Sequence, residues 1–192
     1  ELIKYAAIMT GGDTYRAFGR AGVGCVMGSK RLRGIVISGD GNIEPGDKEK
    51  FSAVKRVIIA NVKANSKFVA ARRRNGTGND MVQMSELGML PTRNWRGGQF
   101  EGVADISPAV GGTNLPRQNI TCGPFCPAPC SHYSEIDRGP YKGAHCDGPE
   151  YETLYALGSN CGIDKWDAVV AAAQICDEHG LDTITAGLSI GF

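Results

Sequence analysis

Between residues 11 and 34 the chain reads GGDTYRAFGRAGVGCVMGSKRLRG, seven glycines and five basic side chains in 24 positions. Such a stretch resists a long regular element, because each interior glycine weakens a helix or strand by roughly 0.5–1 kcal/mol relative to Ala. Glycine is used where backbone turns sharply or lies close to something else. It is high throughout, 27 of 192 residues, against a usual share of roughly 7%. The segment could receive an anion: glycine lets N–H groups approach closely, and Arg16 and Arg20 bring planar guanidinium forks. It holds G-x-G within AGVG but neither G-x-G-x-x-G nor the P-loop order G-x-x-x-x-G-K-[ST]. A tight β-turn region is the competing account.

The composition is otherwise that of a globular protein, 42% hydrophobic and 21% charged with a formal net charge of +1. That balance excludes a disordered chain. No apolar run approaches the roughly 18–20 residues of a membrane span. The length suits one domain or parts of two. The chain opens at Glu1-Leu2-Ile3-Lys4, with no initiator Met, and closes in the apolar TITAGLSIGF. It reads as an internal piece of a longer polypeptide.

The seven cysteines, Cys25, Cys122, Cys126, Cys130, Cys146, Cys161 and Cys176, cannot all pair internally. They are too few for a disulfide scaffold. Cys122, Cys126 and Cys130 are bunched as C-x3-C-x3-C, which favours a metal or cluster site in a reducing compartment. Zinc, with His132 or His145 as a fourth ligand, and an iron–sulfur cluster are both open on these residues alone. The remaining four read as small buried hydrophobes.

Residues 1–10 and the β-branched run IVIS at 35–38 read as strands, the second a buried one. Asp47 is placed to cap a helix running to about residue 71, with Phe51, Val54, Ile58, Val62 and Val69 on one face and Lys48, Lys50, Lys55, Lys63 and Lys67 on the other. Arg72, Arg73 and Arg74 end that helix. Cations there suit the helix dipole, and without interleaved aromatics or overall basicity they do not point to nucleic acid. A shorter helix is expected over 80–87, stopped by Gly88. From Tyr151 the pattern is helical again. Asp164, with Asp167 after it, reads as a capping arrangement. Trp166, Val169, Val170, Ala173 and Cys176 form one apolar face, and Gly180 sits where a C′ glycine belongs. The fold class read from this is α+β, with a boundary near residues 39–47.

The wider string GRAGVGCVMGSKRLRGIVISG, with MLPTRN at 89–94, CPAPC at 126–130 and GPEYETLYALGSNCGIDKWDAVVAAAQICDEHGLDTIT at 148–185, resembles the aldehyde:ferredoxin oxidoreductase family. The resemblance covers essentially the whole chain. It implies the end of a β-rich, pterin-binding first domain over 1–43 and the start of a mainly α-helical second domain over 44–192, which binds a cluster and a pterin. In that family two pyranopterins hold one tungsten. The pattern R-A-x-G-R lines a pterin and falls here on Arg16, Ala17, Gly19 and Arg20. The pattern D-x-x-G-L-D falls on Asp177, Leu181 and Asp182. Read without the resemblance, Asp177 and Glu178 are solvated residues of a last helical turn.

The resemblance also makes Cys122, Cys126 and Cys130 ligands of a [4Fe–4S] cluster, although the family spaces its first pair C-x2-C. Glu150 and Glu152 sit at a helix start, where a carboxylate is favoured in any case. In the family a glutamate here faces the tungsten, and a gap-free count from Asp177 selects Glu152, the candidate catalytic proton relay. The implied activity is oxidation of an aldehyde to a carboxylic acid, with electrons leaving through the tungsten bis-pyranopterin and the cluster. The expected partners are ferredoxin or an iron–sulfur electron-transfer subunit, a small aldehyde, and other copies of the chain, in the cytoplasm. The rivals are a benzoyl-CoA reductase-type subunit and a non-catalytic iron–sulfur or zinc-stabilised module.

Overall fold

The computed structural model describes residues 3–10, 15–109, 119–120, 126 and 128–192. Helix and strand are mixed, and helix predominates. A short hairpin pairs β1 (Met9–Thr10) antiparallel with β2 (Arg16–Ala17), followed by α1 (Val23–Ser29). Then come α2 (Lys48–Ala64), α3 (Ser66–Asn75), α4 (Met81–Glu86) and α5 (Val103–Ile106). A small antiparallel sheet follows, in the order β3 (Asn119–Ile120), β4 (Ser131–Glu135), β5 (His145–Asp147). A helical run begins as α6 (Tyr151–Thr153), widens into a π turn over Leu154–Gly158 and tightens to 3-10 at Ser159–Cys161. The chain then enters α7 (Trp166–Glu178) and α8 (Thr183–Gly191).

The core lies between α7, the helical run before it, α4, α5 and the small sheet. Trp166, Val169, Val170, Ala173 and Cys176 all point inward, as their 3.6-residue spacing predicts, against Met81, Leu90, Ile106, Leu154 and Leu157. Gly78 lies beneath Pro108 and Leu154, and Gly187 lies on the Ala156 backbone. At both places a Cβ would collide, so these contacts require glycine.

Several expectations need correction. Among the described residues up to 43, two two-residue strands and one helix form. Residues 35–38 are not a buried strand: Ile35, Val36 and Ile37 are 67%, 97% and 87% exposed. A strand needs neighbours for its N–H and C=O groups, and none lies beside this run among the described residues. Asp47 does cap α2, accepting from Lys50 N at 2.8 Å. The helix breaks near Asn65, however, whose side-chain amide donates to Asn61 O at 2.8 Å and competes with the ladder. Its apolar face finds no cover: Phe51, Val54, Val57 and Ile58 are all more than half exposed. Arg72 ends α3 as a structural cation, bound to Asp80 and to Thr77 O. Asp164 is not the cap of α7, because Lys165 occupies that position and no side chain caps it.

Candidate cofactor site

Residues 5–7, just ahead of the glycine-rich segment, reach the C-terminal helices by backbone pairing. Ala7 N donates to Gly180 O at 2.7 Å, and Asp182 N donates to Tyr5 O at 3.1 Å. Gly22 and Gly24 lie against the backbone of residues 4–7 so tightly that neither tolerates a Cβ. Close chain packing accounts for those two glycines. Gly19 is different: its φ is +78° and open space faces it.

Opposite this segment, α7 ends in a Schellman turn. Gly180, at φ +63°, donates to Asp177 O at 3.0 Å, and Leu181 N donates to Cys176 O at 2.7 Å. The chain reverses and Asp182 caps α8, accepting from Ile184 N and Thr185 N at 3.2 and 3.3 Å. Turn and cap share the six residues Asp177 to Asp182, so the motif read in the sequence is the junction of two helices.

Between the two lies a cavity of about 220 Å³. Arg16, Ala17, Gly19 and Arg20 line one side, and Asp177, Leu181 and Asp182 line the other. All seven pterin candidates therefore surround one space. Arg20 reaches across to Asp182 in an ion pair and also donates to Thr183 Oγ1 at 3.1 Å.

The walls hold four further acids or hydroxyls that the sequence had not marked: Tyr15, Asp147, Thr153 and Thr183. Arg16 Nε lies 2.5 Å from Asp147 Oδ2, and Arg16 Nη1 donates to Ser131 Oγ at 2.9 Å. Burial pushes Asp177 up to about 7; the Asp147 charge adds to this and Arg20 opposes it. Burial likewise raises Asp147 to about 6, with Arg16 opposing and Glu150 adding. Burial also disfavours charge on Asp182, but hydrogen bonds from Thr185 and Arg20, the Arg20 charge and the Ile184 N–H together hold it below its ordinary value. The site thus contains a fixed carboxylate and two acids that titrate near neutrality.

Glu150 and Glu152 part company. Glu150 lines the cavity, but both its oxygens are committed, one to Thr77 Oγ1 and the other to Ser131 Oγ at 3.1 Å. Glu152 is half-buried in the first turn of α6 and does not line this cavity. No hydrogen bond or ion pair holds its carboxylate among the described residues. The phenol of Tyr155 is raised first by burial and then by the Glu152 charge.

Cys122 lies outside the described residues. Cys126 and Cys130 are partly exposed. Cys130 directly precedes β4, and its carbonyl faces Gly76. Among the described residues no three His, Cys, Asp or Glu side chains converge as a metal site. His132 and His145 instead donate to the carbonyls of Arg73 and Gly143 at 2.8 and 3.1 Å.

Comparison with known proteins now has a geometry to meet. The family model described as aldehyde ferredoxin oxidoreductase, domains 2 and 3, matches residues 53–192, and that of the family's N-terminal domain matches residues 1–39. The chain belongs to the aldehyde ferredoxin oxidoreductase family. It is 38% identical over 187 residues to the tungsten-containing aldehyde ferredoxin oxidoreductase of Thermococcus kodakarensis and 35% identical over 187 residues to that of Pyrococcus furiosus, covering 97% of this chain and 30% of each relative. It is also 32% identical over 192 residues, 99% of this chain and 30% of the relative, to a Pyrococcus furiosus protein named as an aliphatic sulfonate oxidoreductase, WOR-like subunit. The chain thus spans about 30% of the length of these relatives.

The cavity suits the heterocyclic cofactor that family membership brings into question. Arg16 Nη2 and both carboxylate oxygens of Asp147 are buried without a hydrogen-bond partner. An unanswered donor and an unanswered acceptor in one wall match a ring that carries both N–H and C=O groups. A purely apolar ligand would leave both unmet, at about 1–3 kcal/mol each.

Proposed function

We propose that this chain forms part of a tungstopterin oxidoreductase that converts aldehydes to carboxylic acids and passes the electrons to ferredoxin or an iron–sulfur subunit. One observation supports it above the others: Arg16, Ala17, Gly19 and Arg20 share a cavity with Asp177, Leu181 and Asp182. These residues would hold one pterin, the guanidinium forks serving its anionic or carbonyl groups and the carboxyls its N–H edge. When bound, the tungsten bis-pyranopterin supplies the two-electron acceptor for the oxidation. Cys122, Cys126 and Cys130 are proposed as thiolate ligands of a [4Fe–4S] cluster on the electron exit.

Glu152 is proposed to move the proton. Its carboxylate is half-buried and uncommitted, whereas Glu150 is held by Thr77 and Ser131. Glu150 is the extended residue that precedes α6, and Glu152 lies in the first turn of that helix. A positioned carboxylate contributes about 10²- to 10⁴-fold in rate. Glu152→Gln in the full-length protein should therefore lower kcat by that order while bound tungsten and iron stay at parental levels, and Glu150→Gln should do much less. Equal activities, or a larger defect at Glu150, would move the role to the other carboxylate.

The relative named as an aliphatic sulfonate oxidoreductase makes the substrate class a second question. Anaerobic assays of the full-length protein against aldehydes and aliphatic sulfonates, with metal analysis, decide it. Tungsten, about four irons and aldehyde turnover support the proposal. Turnover of sulfonates alone reassigns the substrate, and zinc alone refutes the reading.

A further inference from the structure

Asp147 carried no signal in the sequence, because a three-residue strand is too short to show a pattern. Its side chain is enclosed, 1% exposed, and it lies on β5 against the Arg16 guanidinium. Position and pairing are both unusual. Arg16 Nε meets Oδ2, Arg16 Nη1 is bound to Ser131, and Ser131 is bound in turn to Glu150. The guanidinium is thereby anchored at two of its nitrogens. What stays without a hydrogen bond is Arg16 Nη2 and both oxygens of Asp147, Oδ2 having only its ion-pair contact with Arg16 Nε, and both residues line the cavity.

We propose that Asp147 is itself a cofactor-binding residue, which with Arg16 presents a paired acceptor and donor to the adjacent N–H and C=O of a pyrimidinone ring. The inference rests on the pterin reading above and names a contact residue that reading did not include. A buried carboxylate oxygen and a buried guanidinium N–H each lose water on folding, and a ligand edge of opposite polarity restores both bonds at once. A ring carrying a lactam edge answers the pair in one plane, which is also the plane a guanidinium fork favours.

The competing arrangement is a small rotation that closes Nη2 onto Oδ1, making Asp147 only the anchor of Arg16. A double-mutant comparison in the full-length protein, produced in a host that supplies tungsten and pterin, separates the two. The readouts are pterin and tungsten per polypeptide, with iron content and the melting temperature of the cofactor-free protein as controls for folding. Asp147→Asn should lower pterin occupancy about tenfold with iron unchanged, and should lower it further in an Arg16→Met background. If Asp147→Asn has no effect once Arg16 is Met, Asp147 acts only through Arg16 and the proposal fails. Full pterin retention by Asp147→Asn also overturns it. Asp147→Glu, which keeps the charge and moves the oxygens by one methylene, should give partial occupancy, and parental occupancy there would refute the positional claim even if the Asn variant did not fold. A parental protein that holds iron but no pterin would sink the pterin reading itself, whatever Asp147 does.

Discussion

Helices α2 and α7 carry the same kind of message in their sequences and meet opposite fates. Each has apolar residues at helical spacing and a polar opposite face. In α7 the stripe is sealed: Val169 and Val170 are fully buried and Trp166 is 8% exposed. In α2, Phe51 is 56% exposed and no residue of the helix is buried. Periodicity reports that a helix has a face, and says nothing of whether a partner is present to cover it. The partners of α7 are the π turn, β5, α5 and α8, three of them within 25 residues of it in sequence. Local partners make a pattern come true within a short chain.

The largest test of that contrast is truncation of each stripe. Trp166→Ala should destabilise the protein by about 3–5 kcal/mol, the usual range for a large aromatic removed from a core. Phe51→Ala in the 192-residue chain should change stability by no more than about 0.5 kcal/mol, as at an open surface. Chemical denaturation reads both, and a Phe51 loss as large as that of Trp166 would show that α2 is covered after all.

A second difference is electrostatic. The inner end of α7 buries Asp177, raised to about 7. Its folded value lies above the unfolded one of about 3.9. The folded state therefore binds the extra proton, and this contribution is full below pH ~3.9 and lost as pH rises through about 7. Stability of the cofactor-free protein should fall across that window, and Asp177→Asn should flatten the fall. A profile unchanged by Asp177→Asn would place the titration on Asp147, raised to about 6.

The helix starts differ as well. Asp47 caps α2 with its side chain, and α7 has no such cap. Asp47→Ala should cost about 1 kcal/mol of local helix stability, visible as faster amide exchange over residues 48–51. The smallest effect is expected at the break after α2. Asn65→Ala removes the competing amide and should extend the helix, with a gain of roughly 0.5 kcal/mol and slightly higher helicity by circular dichroism.

These particulars show what could be read beforehand. The face of α7, the Gly180 turn and the Asp47 cap were legible because each is local: spacing, a left-handed residue, a side chain three positions from its N–H. The family resemblance pointed to the residues that surround the cavity, and composition alone offered Asp177 only as a solvated acid. Residues 35–38 looked like a buried strand because β-branched side chains describe a preference, and pairing needs another strand. Asp147 was invisible, since its meaning comes from Arg16, which is 131 positions away by subtraction of their numbers. Thr153 and Thr183 were missed for the same reason: they bond each other at 2.9 Å across two helices.

The Arg20–Asp182 pair joins residues separated by 162 positions. On a ribosome adding about 5–20 residues per second, the first half of this seam waits roughly ten to thirty seconds for the second to emerge. During that interval the glycine-rich arm has no Gly180 carbonyl or Asp182 carboxylate to hold it. Any ligand of this cavity therefore has to wait until Asp182 has emerged, and a cell that makes this protein has to keep a basic arm out of trouble until then.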